Sequence, residues 1–193
     1  MKNIFYLWVL AITLVLAACG DVARDESLAL PEEVCVLETS MGTMVLRLFE
    51  SEAPLTVENF KGLVRDGFYD GLPFYRVVAG HVIQAGDGGE NDYPTVMGEF
   101  GAHPHVVGAV GLARDEDPDS GSTEFYICHA PRPHLDGRYA VFGLLIEGLD
   151  VLERIGNVEV EEHWLGEVAF HKPTTAVLIE RAYLEERVVE SLP

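Results

Sequence analysis

Two runs of apolar and β-branched residues, Val34-Cys-Val-Leu-Glu-Thr39 and Thr43-Met-Val-Leu-Arg-Leu-Phe49, flank a turn at Ser40-Met41-Gly42. They predict a β-hairpin. The period then lengthens: Pro54 suits a first helical position, Val57, Phe60, Leu63 and Val64 share one helical face, and Gly67 supplies a stop. This predicts an amphipathic helix over 54–66. Further apolar runs at 74–78, 81–84, 106–112, 124–128 and 139–146, each bounded by Gly, Pro or Asp, predict strands. A short helix is expected over 149–155 after Gly148, and 176–183 reads as a closing strand. Eight strands and two helices predict a mainly β domain, a closed eight-stranded antiparallel β-barrel with two capping helices.

The N-terminal segment has a different pattern. Met1-Lys2-Asn3 is followed by an uncharged apolar run of 15 residues, Ile4 to Ala18. A membrane-spanning helix needs about 20, whereas a basic start and a 7–15-residue apolar stretch fit a secretory signal. The run ends in Leu16-Ala17-Ala18-Cys19, which resembles the lipobox of bacterial lipoproteins, in which the Cys is acylated and becomes the mature N-terminus. Residues 1–18 are therefore expected to be a signal peptide, 19–33 a lipidated, acidic tether and 34–193 the folded domain. The 14 residues 20–33 would reach about 45–50 Å when extended. The implied location is the cell envelope, with the domain facing the periplasm or exterior and held to the membrane through lipid on Cys19. Cys35 and Cys128 do not make a disulfide scaffold in a domain of this size, and buried free thiols are expected.

Composition narrows the partners. With 13 Lys+Arg against 32 Asp+Glu the formal charge is −19, which argues against a binder of the phosphate backbone; no nucleic acid partner is expected. At 48% hydrophobic and 23% charged, the chain is not a disordered polyelectrolyte. A monomer is expected.

Several constellations fail on spacing. Asp115, Asp117 and Asp119 alternate as in a calcium loop, but its sixth position is Ser120 and its twelfth Tyr126. Gly86-Asp87-Gly88-Gly89 lacks the third glycine of a dinucleotide fingerprint. His103, His105, His129 and His134 match no recurrent zinc spacing, and no Gly-x-Ser-x-Gly elbow occurs. Neither metal nor cofactor is expected.

A set of blocks in fixed order stands out: Ala53-Pro-Leu-Thr-Val-Glu-Asn-Phe60, Gly67-Phe-Tyr-Asp-Gly71, Phe74-Tyr-Arg-Val-Val78, Gln84-Ala-Gly-Asp87, Ser122-Thr-Glu-Phe-Tyr-Ile127 and Leu135-Asp-Gly-Arg-Tyr-Ala-Val-Phe-Gly143. Together they resemble the cyclophilin family of peptidyl-prolyl cis-trans isomerases, over about Val34 to Leu184. The resemblance implies an eight-stranded antiparallel barrel with a helix at each end, in agreement with the element count. It also implies proline-containing polypeptides as partners. The activity would be isomerisation assisting the folding of exported proteins; the alternative is a non-catalytic module that binds proline-containing segments.

Rotation about an X-Pro bond is slow because twisting breaks amide resonance, a barrier of about 18–20 kcal/mol. In the twisted state the prolyl nitrogen regains its lone pair, so a rigid, permanently charged donor bonds it more strongly than in either planar state. Arg76 matches the family's catalytic arginine. A 10⁴-fold acceleration requires roughly 5.4 kcal/mol of differential stabilisation, within reach of one charge-assisted bond in a desolvated cleft plus strain.

The resemblance places the proline pocket at His81, Val82, Tyr126 and Leu135, with Gln84, Ala113, Arg114, Glu124, Phe125, His134 and Tyr139 in or along the cleft. The family more often has Phe at positions 81 and 126, Gln at 124, Asn at 114, His at 139 and, in well-known eukaryotic members, Trp at 134. Glu124 reads either as a solvated strand residue or as an ion-pair partner of Arg76, and Val82 and Phe125 either as pocket or as core. His81 titrates with a reference pKa of about 6.5. An imidazolium beside Arg76 would disfavour a prolyl ring, so turnover is expected to fall between about pH 7.5 and 5.5.

Overall fold

The computed structural model describes residues 31–165 and 168–189. The expected signal peptide, Cys19 and the tether up to residue 30 lie outside the described residues. The elements, in chain order, are β1 (Glu32–Thr39), β2 (Gly42–Leu48), α1 (Pro54–Arg65), β3 (Arg76–Val78), β4 (Val82–Ala85), β5 (Ala109–Leu112) and β6 (Phe125–Cys128). A 3-10 turn (Pro133–Leu135), β7 (Val141–Glu147), α2 (Leu149–Gly156), β8 (Val160–Leu165), β9 (Val168–Pro173) and β10 (Ile179–Arg187) complete them.

All eight predicted strands pair in one antiparallel sheet of order β10-β1-β2-β7-β5-β6-β4-β3. The predicted closure does not occur: the sheet is an open, curled half-barrel. Among the described residues no ladder joins its terminal strands β3 and β10; the segments leading into them form the isolated Pro73–Leu178 bridge, through Phe74 N–H to Val177 O (2.9 Å) and Ile179 N–H to Leu72 O (2.8 Å), and Gly71 N–H donates to Ile179 O (2.7 Å). β3 is three residues long and begins only at Arg76, beyond the bridge, so no ladder with β10 follows. Sequence periodicity also missed the β8–β9 hairpin, a separate two-stranded sheet that runs alongside β3. The Glu161-Glu162 pair and terminal Pro173 interrupt the alternation on which strand prediction relies.

Helix α1 covers the inner face of the sheet. Phe60, 1% exposed, lies 5.4 Å from Phe125 and 5.0 Å from Phe142 between ring centroids. Burying such a ring contributes roughly 1.5–3 kcal/mol. No side chain at Ala53 caps the helix. Instead, Glu99 reaches in from a distant loop, its carboxylate accepting from Leu55 N–H (3.1 Å) and Thr56 N–H (2.8 Å). The helix stops at Asp66, before Gly67 at φ 69°. Cys35 and Cys128 are free and buried, and burial raises both thiols, Cys128 to about 12.

Candidate functional site

Arg76 opens β3 directly opposite Gln84 on β4, so their side chains emerge on the same face. The Arg76 guanidinium donates through Nη1 to Gln84 Oε1 at 2.9 Å. That bond orients the amide, leaving its Nε2 to donate to Glu124 Oε2 (2.9 Å) and to the Tyr75 hydroxyl oxygen (2.5 Å). Tyr75 in turn donates to Glu124. Burial, reinforced by the Glu124 carboxylate, raises the Tyr75 hydroxyl above its ordinary value and keeps it a donor. Arg76 is thus held by a neutral acceptor, which fixes its direction without cancelling its charge.

In front of this brace lies a cavity of about 250 Å³. Arg76 and Gln84 form one side; His81, Val82 and Tyr126 come from the β4 edge and β6; Leu135 and Tyr139 come from the segment around the 3-10 turn. Ala113 and Arg114 separate it from an adjoining cavity of about 530 Å³, whose lining includes Tyr75, Asp87, Asp115 and Glu124. Arg114 is fixed by donating to the backbone oxygens of Asp115 (2.6 Å) and Arg138 (2.8 Å), and its guanidinium carbon lies 4.5 Å from the Tyr139 ring centroid. A larger cavity of about 680 Å³ sits beside the Glu33–Lys61–Glu50 ion pairs and shares none of these residues.

Nine of the twelve site positions read from the sequence therefore line one pocket. The other three sit elsewhere. Phe125 is fully buried and points to the opposite face of β6 from Tyr126, into the core beside Phe60 and Tyr69, because successive strand residues alternate faces. Glu124 lines the adjoining cavity; it is half-buried and bonds Tyr75 and Gln84, so it is neither a solvated strand residue nor a direct partner of Arg76. His134 is exposed at the rim, its ring 6.1 Å from that of His81 at 82°.

The expected acid limb from His81 is also corrected. Burial, with Arg132, Arg76 and His134 nearby, lowers its pKa to about 4, so the ring is neutral throughout pH 5.5–7.5. Its Nδ1 is buried without a hydrogen-bond partner, consistent with a ring serving as an apolar wall.

Sequence reasoning missed Tyr75, His105 and Asp136. Tyr75 adjoins the arginine and could have been found from the hydroxyl beside Glu124 if the β4–β6 pairing were known. His105 is 2% exposed and bonds both Asp136 and Tyr126, across 31 and 21 residues of sequence, which no local motif signals.

The available chemistry is non-covalent: a guanidinium of fixed direction at a small pocket on a sheet, walled by Val82, Ala113 and Leu135 together with the rings of His81, Tyr126 and Tyr139, with a larger cavity beside it. Fold and site together define a mainly β protein that presents a directed guanidinium able to stabilise charge developing on a bound group. The chain belongs to the cyclophilin-type peptidyl-prolyl cis-trans isomerases: the family described as "Cyclophilin type peptidyl-prolyl cis-trans isomerase/CLD" matches residues 34–184. It is 35% identical over 163 residues to a probable peptidyl-prolyl cis-trans isomerase of Brucella suis, covering 72% of this chain and 83% of the relative. It is 41% identical over 112 residues to a peptidyl-prolyl cis-trans isomerase of Synechococcus elongatus, covering 56% and 77%. Among solved structures it is similar to a Cryptosporidium parvum cyclophilin-type isomerase crystallised in the presence of the dipeptide Ala-Pro. The TM-score is 0.71 at 24% identity, covering 79% of this chain and 98% of that one, a likeness of fold.

Proposed function

We propose that the chain isomerises X-Pro bonds in exported polypeptides at the cell envelope, tethered through an acylated Cys19, with Arg76 as the transition-state donor. The observation that carries the reading is the brace: Gln84 holds the Arg76 guanidinium at 2.9 Å at the wall of a pocket of about 250 Å³. The prolyl ring sits against Val82, Tyr126 and Leu135, with neutral His81 at the side. Arg76 donates to the prolyl nitrogen as its lone pair localises, an interaction stronger in the twisted state than in either planar one. Gln84 holds the guanidinium during the turn, so little reorganisation accompanies the step. The crystallisation of the Cryptosporidium parvum relative with Ala-Pro supports a proline-bearing substrate. The envelope location rests on the signal-like run and the Leu16-Ala17-Ala18-Cys19 sequence.

The test is exchange spectroscopy on an X-Pro peptide with wild type and Arg76→Ala. Loss of one transition-state donor should lower kcat/KM by roughly 10²-fold or more with the fold intact. Equal turnover by the two proteins would refute the role of Arg76, and wild type that binds the peptide without accelerating exchange would favour a binding module.

A further inference from the structure

His105 is excluded from solvent on every side, with a side-chain exposure of 0%, in a loop that no sequence motif marks. Its backbone N–H donates to Asp136 Oδ1 at 2.8 Å, its Nδ1 lies 2.8 Å from the same oxygen, and its Nε2 lies 2.9 Å from the Tyr126 hydroxyl. A carboxylate only accepts, so the imidazole proton sits on Nδ1 and Nε2 is left as an acceptor. The Tyr126 hydroxyl, kept protonated by burial, donates to it.

The ends of this chain of bonds belong to different walls of the pocket. Tyr126 stands on β6; Asp136 follows directly on Leu135, which closes the pocket from the 3-10 turn. A further bond, Arg132 N–H to His105 O at 2.7 Å, ties the start of that turn to the same residue. On its other side Tyr126 has no room to retreat: a Cβ on Gly111 would lie 2.3 Å from Tyr126 Cζ. Among the described residues no side-chain hydrogen bond joins this group to the Gln84–Tyr75–Glu124 brace behind Arg76.

We propose that His105 is a positioning residue that fixes the distance between Tyr126 and Leu135, and so sets how tightly the prolyl ring is held, leaving the Arg76 step unchanged. Without Nε2 the Tyr126 hydroxyl is buried with no acceptor, and it regains one only by swinging the ring from its place. The inference rests on the pocket being the seat of proline.

The experiment titrates a labelled Ala-Pro-containing peptide into the protein, reading affinity from chemical-shift changes and cis/trans exchange at saturation. His105→Leu should weaken binding about tenfold while exchange at saturation stays within about twofold. Added to Tyr126→Phe, His105→Leu should weaken binding by less than about threefold relative to Tyr126→Phe alone, because no hydroxyl is left unpaired. If His105→Leu fails to fold, His105→Gln, whose amide reaches the hydroxyl, should bind within about threefold of wild type, and the shorter His105→Asn about tenfold more weakly. Unchanged affinity in His105→Leu, equal weakening by His105→Leu with and without Tyr126→Phe, or identical behaviour of the Gln and Asn variants would overturn the proposal. Wild type that does not bind the peptide would instead refute the pocket assignment.

Discussion

His81→Phe exchanges a ring that the fold keeps neutral for one that is neutral at every pH, so the two proteins differ mainly in how the unfolded chain takes up a proton. In the fold His81 is lowered from 6.5 to about 4 by burial and by the positive groups Arg132, Arg76 and His134. Below about pH 6.5 the unfolded chain is protonated at this position and the native protein is not, so stability falls as pH drops through the window 6.5 to 4 and levels off beneath it. The full shift corresponds to about 3 kcal/mol. Solvent screening of a partly exposed rim residue reduces this to about 1–2 kcal/mol. Asp136, Asp150 and Glu153, held below the usual carboxylate range by His105, Arg154 and His129 respectively, are shifted in the same direction and likewise lose stability in acid. They are common to both proteins and cancel in the comparison. Urea unfolding at pH 7.0 and 4.5 should therefore show wild type losing about 1–2 kcal/mol more than His81→Phe on acidification. Turnover of both should be flat from pH 7.5 to 5.5. An equal acid loss of stability in the two proteins, or a wild-type activity limb centred near pH 6.5 that His81→Phe abolishes, would refute the neutral-wall account.

Gly111→Ala should push Tyr126 toward the pocket, costing about 1–3 kcal/mol in stability and weakening peptide binding; unchanged affinity by peptide titration would count against Tyr126 as a wall. Glu99→Ala leaves the first N–H groups of α1 without their carboxylate and should lower stability by about 1 kcal/mol in urea unfolding, with kcat/KM unaffected. Cys19→Ala should abolish an acylated N-terminus detectable by mass spectrometry and release the chain from the membrane fraction; its unchanged retention there would show that another feature anchors it.

The eight strands of the sheet and both helices were legible because each carries its own signal: alternation in β1 and β2, the Val57/Phe60/Leu63/Val64 face and Pro54 in α1, Gly148 ahead of α2. Arg76, Gln84, Tyr126 and Leu135 were legible as one site through the order of blocks along the chain, a property of sequence that survives without coordinates. Closure was not, because it depends on whether the two edges of the sheet come alongside each other in space, and here an isolated Pro73–Leu178 bridge stands where a ladder between β3 and β10 would be needed. Nor was the division between Phe125 and Tyr126, adjacent residues that the pleat sends to the core and to the pocket. The protonation state of His81 was misjudged for the same reason: a reference pKa belongs to the residue, but its lowering comes from burial and from Arg132 and His134, brought close by folding. Likewise His105 has no local signature, since its two partners are 21 and 31 residues away. Sequence determined which elements form and which residue types can do the chemistry; tertiary structure decided which of them meet, because burial and hydrogen-bond partnership are properties of distance in space.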